Sequence, residues 1–452
     1  MAELTSDQQA IVDRASLEEK DGWYHVKTYG DPYSLGFQHG YLLAEQYAKA
    51  LRTYTYMTLQ CFGMDYSFFV ESAAKMHRDK IPEYLMKELE GMADGFTAAG
   101  TETSVDDLIG WNAWMELTDY WWPTVAAQYS KNPPQGPRGS HCSGIVATGS
   151  ATTNGKVVIA HESFDEFWSG QYFNIAAHIH PDEGHAFTMQ TVAGYLASMT
   201  DFYVNSAGLG ITETTLAGFR GYDEKRVPEY VRARNAVQFS GSIDEWVATL
   251  NKDNNGGYAN AWLVADANTG EIARYEEGLI YQSLERTFDG SFFGCNATFD
   301  PRIRNLECAD VGFNDPRQQT GARRQRLMQL LDQYHGKIDT DVAKKILADK
   351  YDPYLGYENP SSRGVCSYYD VDPMYYADDP NAVWNVPFYP AGSVDGKAAD
   401  ADDILGVRIW GRYGRADGGE FDADKFLREH PLWAWQEGYL ESRPSQPWTV
   451  LD

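Results

Sequence analysis

Cys142 stands where two compositions meet. Residues 131–140 (KNPPQGPRGS) are rich in Pro and Gly and carry no hydrophobic period, which predicts an exposed linker. Directly after it, HCSGI at 141–145 opens a strand-like run. A cysteine inside a strand is ordinarily an inert small hydrophobe. One at the junction of a linker and a strand can become a chain terminus if the linker is cut. The chemistry is self-contained. The thiol attacks the carbonyl of His141, an N→S acyl shift gives a thioester, and water releases Cys142 with a free α-amine. Such an amine has a pKa of about 7.7–8.0 and can take the proton of its own thiol near neutrality. His141 and Cys142 are therefore the candidate cleavage site.

The neighbourhood of Cys142 follows from the next run. NG at 154–155 predicts a tight hairpin, with 156–160 (KVVIA) returning beside 144–148 (GIVAT). A two-residue turn there would set Cys142 opposite Phe167 and bring His161, Glu162, Phe164 and Asp165 back toward the thiol. Of the ten histidines, His161 is the best placed for proton or carbonyl chemistry; the alternative is a histidine bonded structurally at a strand end.

The elements that must hold these residues are legible in outline. Residues 1–128 read as mainly helical after a short strand at 23–27. Helices are predicted at 33–47, from Pro82 to Gly95 or Gly100, and from Ser104, where Asp107 completes a capping box. Residues 129–141 are the linker. From 142 to 452 strands are expected near 172–180, 186–192, 202–206, 208–213, 260–265 and 272–276, with helices near 227–239, 243–250, 321–334 and 340–349. Strands flanked by helical blocks imply a layered α+β sandwich.

Three blocks in order carry a resemblance. HCSGI at 141–145 with VIAHESF at 158–164, DFYVNSAGLGITETT at 201–215, and YANAWLVAD at 258–266 resemble the phospholipase B-like family. The likeness continues more weakly through AGSVDGK at 391–397 to Trp433. YSLGFQHG at 33–40 and ELEGMADG at 88–95 are similar to the related penicillin acyltransferase group. Both are N-terminal-nucleophile hydrolases, so the resemblance implies a four-layer αββα sandwich with a mainly helical N-terminal segment and no cofactor; after cleavage, fragments 1–141 and 142–452 should stay associated, because the N-terminal helices look amphipathic and would expose apolar faces alone.

It also implies roles. Cys142 matches the nucleophile, His161 the active-site histidine, and Asn260 the oxyanion-hole amide. Thr214 and Thr215 match the ETT block as hydroxyl donors. Arg323, Arg324 or Arg326 matches an active-site arginine, with Arg323 placed first. Phe164, Asp165, Asp201 and Thr215 would meet substrate. Phe164 stands where the family has Trp, so an indole N–H contact is not expected there. His39 reads as structural.

The implied activity is hydrolysis of an amide or ester bond in a small acylated or lipid substrate. An acyltransferase, with an amine in place of water, uses the same residues. A processed but silent binding protein is the reading from another class. A formal charge of −27 argues against nucleic acid as a partner, since phosphates would be repelled. No run reaches the ~20 apolar residues of a membrane span. The opening residues lack the apolar core of a signal peptide, so secreted, periplasmic or lysosome-like settings require a leader removed earlier. The five cysteines form no CxxC pair, and no metal-binding spacing is visible, so no metal is expected. Cys295 and Cys308 are near enough in sequence to bridge. Self-association into a homo-oligomer is left open.

Overall fold

A computed structural model describes residues 4–129, 131, 142–200, 202–373 and 387–452. Apart from Tyr129 and Lys131 the expected linker lies outside these residues, as do His141 and Asp201.

Strand alternation builds two sheets. The first has nine strands: β1 (Ser16–Lys20), β2 (Trp23–Gly30), β5 (Ile175–Pro181), β6 (Phe187–Thr191), β7 (Tyr203–Asn205), β8 (Leu209–Thr215), β9 (Asn260–Asp266), β10 (Ile272–Glu277) and β11 (Gln282–Thr287), in that spatial order. The second holds β12 (Gly290–Gly294), β3 (Cys142–Gly149), β4 (Gly155–Glu166), β16 (Asp395–Asp400), β17 (Ile409–Tyr413) and β18 (Thr449–Leu451), with β15 (Ala391–Ser393) pairing onto the end of β4. Two short strands, β13 (Tyr351–Asp352) and β14 (Tyr357–Glu358), pair separately. Among the described strands every pairing is antiparallel except β2 with β5.

Period-two sequence divides the cores. Val146, Val157 and Ile159 fill the space between the sheets with Leu263, Ala265 and Ile404. Their neighbours Ile145, Ala147, Val158 and Ala160 face the other way, onto helices Gln319–Gln333 and Thr340–Leu347 through Leu327, Leu330 and Ile346. The nine-stranded sheet turns its outer face to α2 (Pro32–Leu42), α3 (Ala44–Phe62), α4 (Tyr66–His77), α5 (Glu83–Ala98) and α6 (Val105–Glu116), and to helices Glu229–Phe239 and Ile243–Asn251. The result is the four-layer αββα sandwich.

The single helix expected over 33–47 is two, α2 and α3, that break at Leu43. Asp31 caps α2 ahead of Pro32 at its first position, and Ser104 with Asp107 forms the capping box of α6. A short helix α1 (Ser6–Val12) precedes β1. The segment is less separate than its helices suggest, because β1 and β2 are the edge of the nine-stranded sheet and β2 bonds to β5 over seven residue pairs.

The β3–β4 turn differs from the expected tight hairpin. Asn154 does not adopt the positive φ that a type I′ turn needs. Pairing stops at Gly149 with Gly155, and Ser150 to Asn154 form a longer loop. Bonds from Thr153 N to Ile338 O (3.1 Å) and from Gly336 N to Ala151 O (2.9 Å) hold it open. Cys142 consequently pairs with Ser163, not Phe167. The offset is an even number of residues, so the faces are unchanged.

Candidate active site

Cys142 begins β3 with its side chain on the face turned to the nine-stranded sheet, the parity it shares with Val146. It is 3% exposed and opens on a cavity of about 510 Å³. Trp114, Phe164, Asp165, Trp168, Thr215 and Tyr258 are among the walls. Aromatic faces with a few polar groups are the usual makeup of a small-molecule pocket.

Both ends of Cys142 are addressed by side chains. Its backbone N–H donates to Asn296 Oδ1 at 3.1 Å. Arg323, fully buried, donates from Nη1 to the Cys142 carbonyl and from Nη2 to the same Asn296 oxygen at 2.8 Å. Asn296 Nδ2 in turn donates to Thr215 O at 2.9 Å. Its position after β12 requires φ 61°, a conformation that asparagine tolerates better than most residues. The thiol points to Glu213 Oε1 at 3.5 Å, and Tyr258 OH donates to that oxygen at 3.0 Å.

Burial dominates the electrostatics. It pushes the Cys142 thiol well above its ordinary range, with the charge of Glu213 adding to it. It raises Glu213 to about 8, against the hydrogen bonds from Tyr258 and Cys142. Burial and then Lys397 hold His161 well below its usual value, against a smaller pull from the Glu213 backbone, so its imidazole is neutral. Lys397 is itself buried. It bonds Asp395 at 2.7 Å and Ser163 Oγ at 2.9 Å, and Asp395 also accepts from Ser163 N and Gln190 Nε2.

The residues named from sequence divide into groups. Cys142, Phe164, Asp165 and Thr215 meet at the cavity wall. Burial, then the neighbouring Glu166, raises the Asp165 carboxyl well above the carboxylate range. His161 lies behind the wall, close to Cys142 and Glu213, with neither ring nitrogen in a hydrogen bond. Asn260 starts β9 opposite Thr215, fully buried, and its amide oxygen and nitrogen are both unbonded. Thr214 is off the cavity wall and packs on Gly294, where a Cβ would lie 2.3 Å from its Oγ1. Of the three arginines, Arg323 reaches Cys142, whereas Arg324 bonds Phe313 O and Asn314, and Arg326 pairs with Asp349. Arg323 bonds the Cys142 backbone, stacks 5.0 Å over Phe164, and is not itself on the cavity wall. All five cysteines are free thiols, Cys295 and Cys308 included.

Two residues escaped the sequence reading. Glu213 had a signal, a charged residue inside a strand that is otherwise apolar or threonine. Asn296 had none, since nothing local ties it to a partner 154 residues away.

The family model for phospholipase B matches residues 33–377. The chain belongs to the phospholipase B family. It is similar to putative phospholipase B-like 3 of Caenorhabditis elegans, 31% identical over 147 residues, covering 30% of this chain and 25% of that protein. It is similar to phospholipase B of Crotalus adamanteus, 28% identical over 233 residues (46% and 39%). An uncharacterized protein of Archaeoglobus fulgidus is 24% identical over 204 residues (42% and 32%). The matches thus span between 25% and 39% of the length of these relatives. Among solved structures, a C2A mutant of conjugated bile acid hydrolase from Clostridium perfringens aligns with TM-score 0.36 and 12% identity, over 60% of this chain and 89% of that one. No helix among the described residues is long and apolar enough to cross a membrane.

Proposed function

We propose that this member of the phospholipase B family is a hydrolase that cuts its own chain ahead of Cys142 and then cleaves an amide or ester bond of a small acylated or lipid substrate through a Cys142 thioester. The observation that carries this reading is the double hold on Cys142. Its thiol meets a carboxylate at a cavity wall, and its backbone nitrogen meets a side-chain oxygen that can equally accept from a free amine.

In the uncut chain, Glu213 is the base that the thiol contacts. A carboxylate raised to about 8 is a stronger base than an ordinary glutamate, although a smaller fraction of it is ionised at neutral pH. As Sγ bonds to the His141 carbonyl carbon, the thiol proton passes to Glu213. The C–N bond then breaks, and the nitrogen of Cys142 takes a proton to become the amine. Water hydrolyses the thioester and frees the new carboxyl end. In the cut chain the α-amine, oriented by Asn296 Oδ1, receives the thiol proton when Sγ attacks a substrate carbonyl. Asn260 Nδ2 is a buried N–H donor with no partner, the condition for a group kept for a developing oxyanion. Arg323 is a positioning residue that fixes Asn296 and the Cys142 carbonyl. Phe164, Trp114 and Trp168 supply apolar wall for an acyl group, and Asp165 and Thr215 supply polar contacts beside it.

Intact mass spectrometry tests the first half. Wild-type protein is expected as two fragments, the second beginning at Cys142, that co-purify; Cys142→Ala is expected as one chain. Incubation with a panel of acyl esters and amides, with and without an added amine, then separates hydrolysis from acyl transfer. An active protein in which residue 142 is still joined to residue 141 sinks the proposal.

A further inference from the structure

Among the described residues, one set of metal-ligating side chains converges. The Cys142 sulfur, a ring nitrogen of His161 and a carboxylate oxygen of Glu213 all lie within 4.8 Å of one another. The three side chains are buried, His161 and Glu213 completely. Their bonding is unsaturated although all three are buried. Glu213 Oε2 and both nitrogens of His161 have no hydrogen-bond partner, and the thiol makes one long contact. Buried polar atoms are ordinarily paired, so this concentration of unpaired donors and acceptors marks a place built to receive something.

We propose that Cys142, His161 and Glu213 form a binding site for a thiophilic divalent cation of the Zn²⁺ class, which holds Cys142 in an unreactive state until it is removed. The cation site stands on geometry alone and is the same in the cut and uncut chain. That occupancy stops turnover rests on reading Cys142 as the nucleophile.

The ligand chemistry fits. A thiolate and a carboxylate cancel the two positive charges, and a neutral imidazole completes a complex with no net charge, the condition under which an ion can be buried. With metal–ligand lengths of about 2.0–2.3 Å, donors on a tetrahedron lie roughly 3.3–3.8 Å apart. Sγ and Oε1 are already 3.5 Å apart and the ligand atoms all lie within 4.8 Å of one another, so side-chain shifts of about 1 Å complete the set. Three protein donors leave a fourth position open, and Cys142, which lines the cavity, gives the ion its way in. On binding, the S–H bond of Cys142 breaks as the S–metal bond forms. Its proton, and any proton on Glu213, passes to solvent with the displaced waters, and nothing is oxidised or reduced. A set of one sulfur, one nitrogen and one oxygen selects against Mg²⁺ and Ca²⁺, which need six or more oxygens.

The test uses chelator-stripped full-length protein. Titration with Zn²⁺ followed by calorimetry is expected to give one ion per chain, and Co²⁺ a near-ultraviolet sulfur-to-cobalt charge-transfer band. Saturating Zn²⁺, but not Mg²⁺, is expected to slow iodoacetamide alkylation of Cys142 by at least about tenfold, located by peptide mass spectrometry and reversed by chelator. Cys142→Ala, His161→Ala and Glu213→Gln are each expected to weaken Zn²⁺ by at least about tenfold. Alkylation of Cys142 at an unchanged rate, no charge-transfer band, or a folded His161→Ala that binds as tightly as the parent would overturn the site. If a variant does not fold, the parent protein's band and alkylation rate decide. Tight binding at Cys142 with turnover unimpaired would leave the cation site standing and sink the nucleophile reading.

Discussion

Two histidine-bearing clusters of this protein look alike in sequence and differ in bonding. The α2–α5 seam carries YSLGFQHG and ELEGMADG; the β3–β4 pair carries HCSGI and VIAHESF. In the seam the backbones touch. A Cβ at Gly36 would lie 1.9 Å from Glu88 O, and one at Gly91 2.1 Å from Tyr33 O. Every prominent polar group there is paired: His39 Nε2 accepts from Gly194 N at 2.8 Å, and Glu88 takes two bonds from Arg234. Around Cys142, paired groups stand beside His161 and Asn260, which are buried and unbonded. Saturated bonding marks scaffold. Buried groups left unsatisfied cost stability and persist where a reaction partner completes them.

The comparison can be broken from either side. The largest effect is expected at Cys142. Replacement by Ala should abolish both self-cleavage and turnover while thermal denaturation shows a fold at least as stable as the parent. Gly91→Ala should do the opposite. Driving a methyl into the Tyr33 carbonyl is expected to cost about 3 kcal/mol or more, read as a fall in Tm or loss of soluble protein. If Gly91→Ala leaves the Tm untouched, the seam is not the rigid contact described.

Asn260→Ala is expected to lower kcat by about 10²–10³-fold with little change in Tm, the signature of a lost oxyanion donor. The two histidines then sharpen the contrast. His39→Leu leaves the Gly194 amide without an acceptor and should cost about 1–3 kcal/mol in denaturant titrations. His161→Leu removes no hydrogen bond and should change stability by less than about 1 kcal/mol. Equal losses in the two variants would erase the distinction.

The remaining expectation is in pH. As the proposed base Glu213 would act unprotonated, and burial raises it to about 8. The fraction able to accept a proton therefore grows as pH rises. Self-cleavage should accelerate by about tenfold per unit between about pH 6 and about pH 8, then level off. In Glu213→Gln that rise should vanish. A rate that falls with pH in the parent would rule Glu213 out as the base.

The sequence by itself determined the layers and the faces. Strand alternation in β3, β4, β8 and β9 and the capping box of α6 are local patterns, and hydrophobic periodicity acts over a few residues. It also set the face that Cys142 shares with His161, because side-chain direction depends only on parity. Tertiary structure decided the partner at each distance. Cys142 pairs with Ser163 because bonds from Gly336 and Ile338 keep the β3–β4 loop open. Arg323 was separable from Arg324 and Arg326 only once Asn296 and the Cys142 carbonyl stood beside it. Glu213 and Asn296 reach the cysteine across 71 and 154 residues of chain. Such contacts leave no periodic trace, since they arise from packing one layer on another rather than from any residue's own preference.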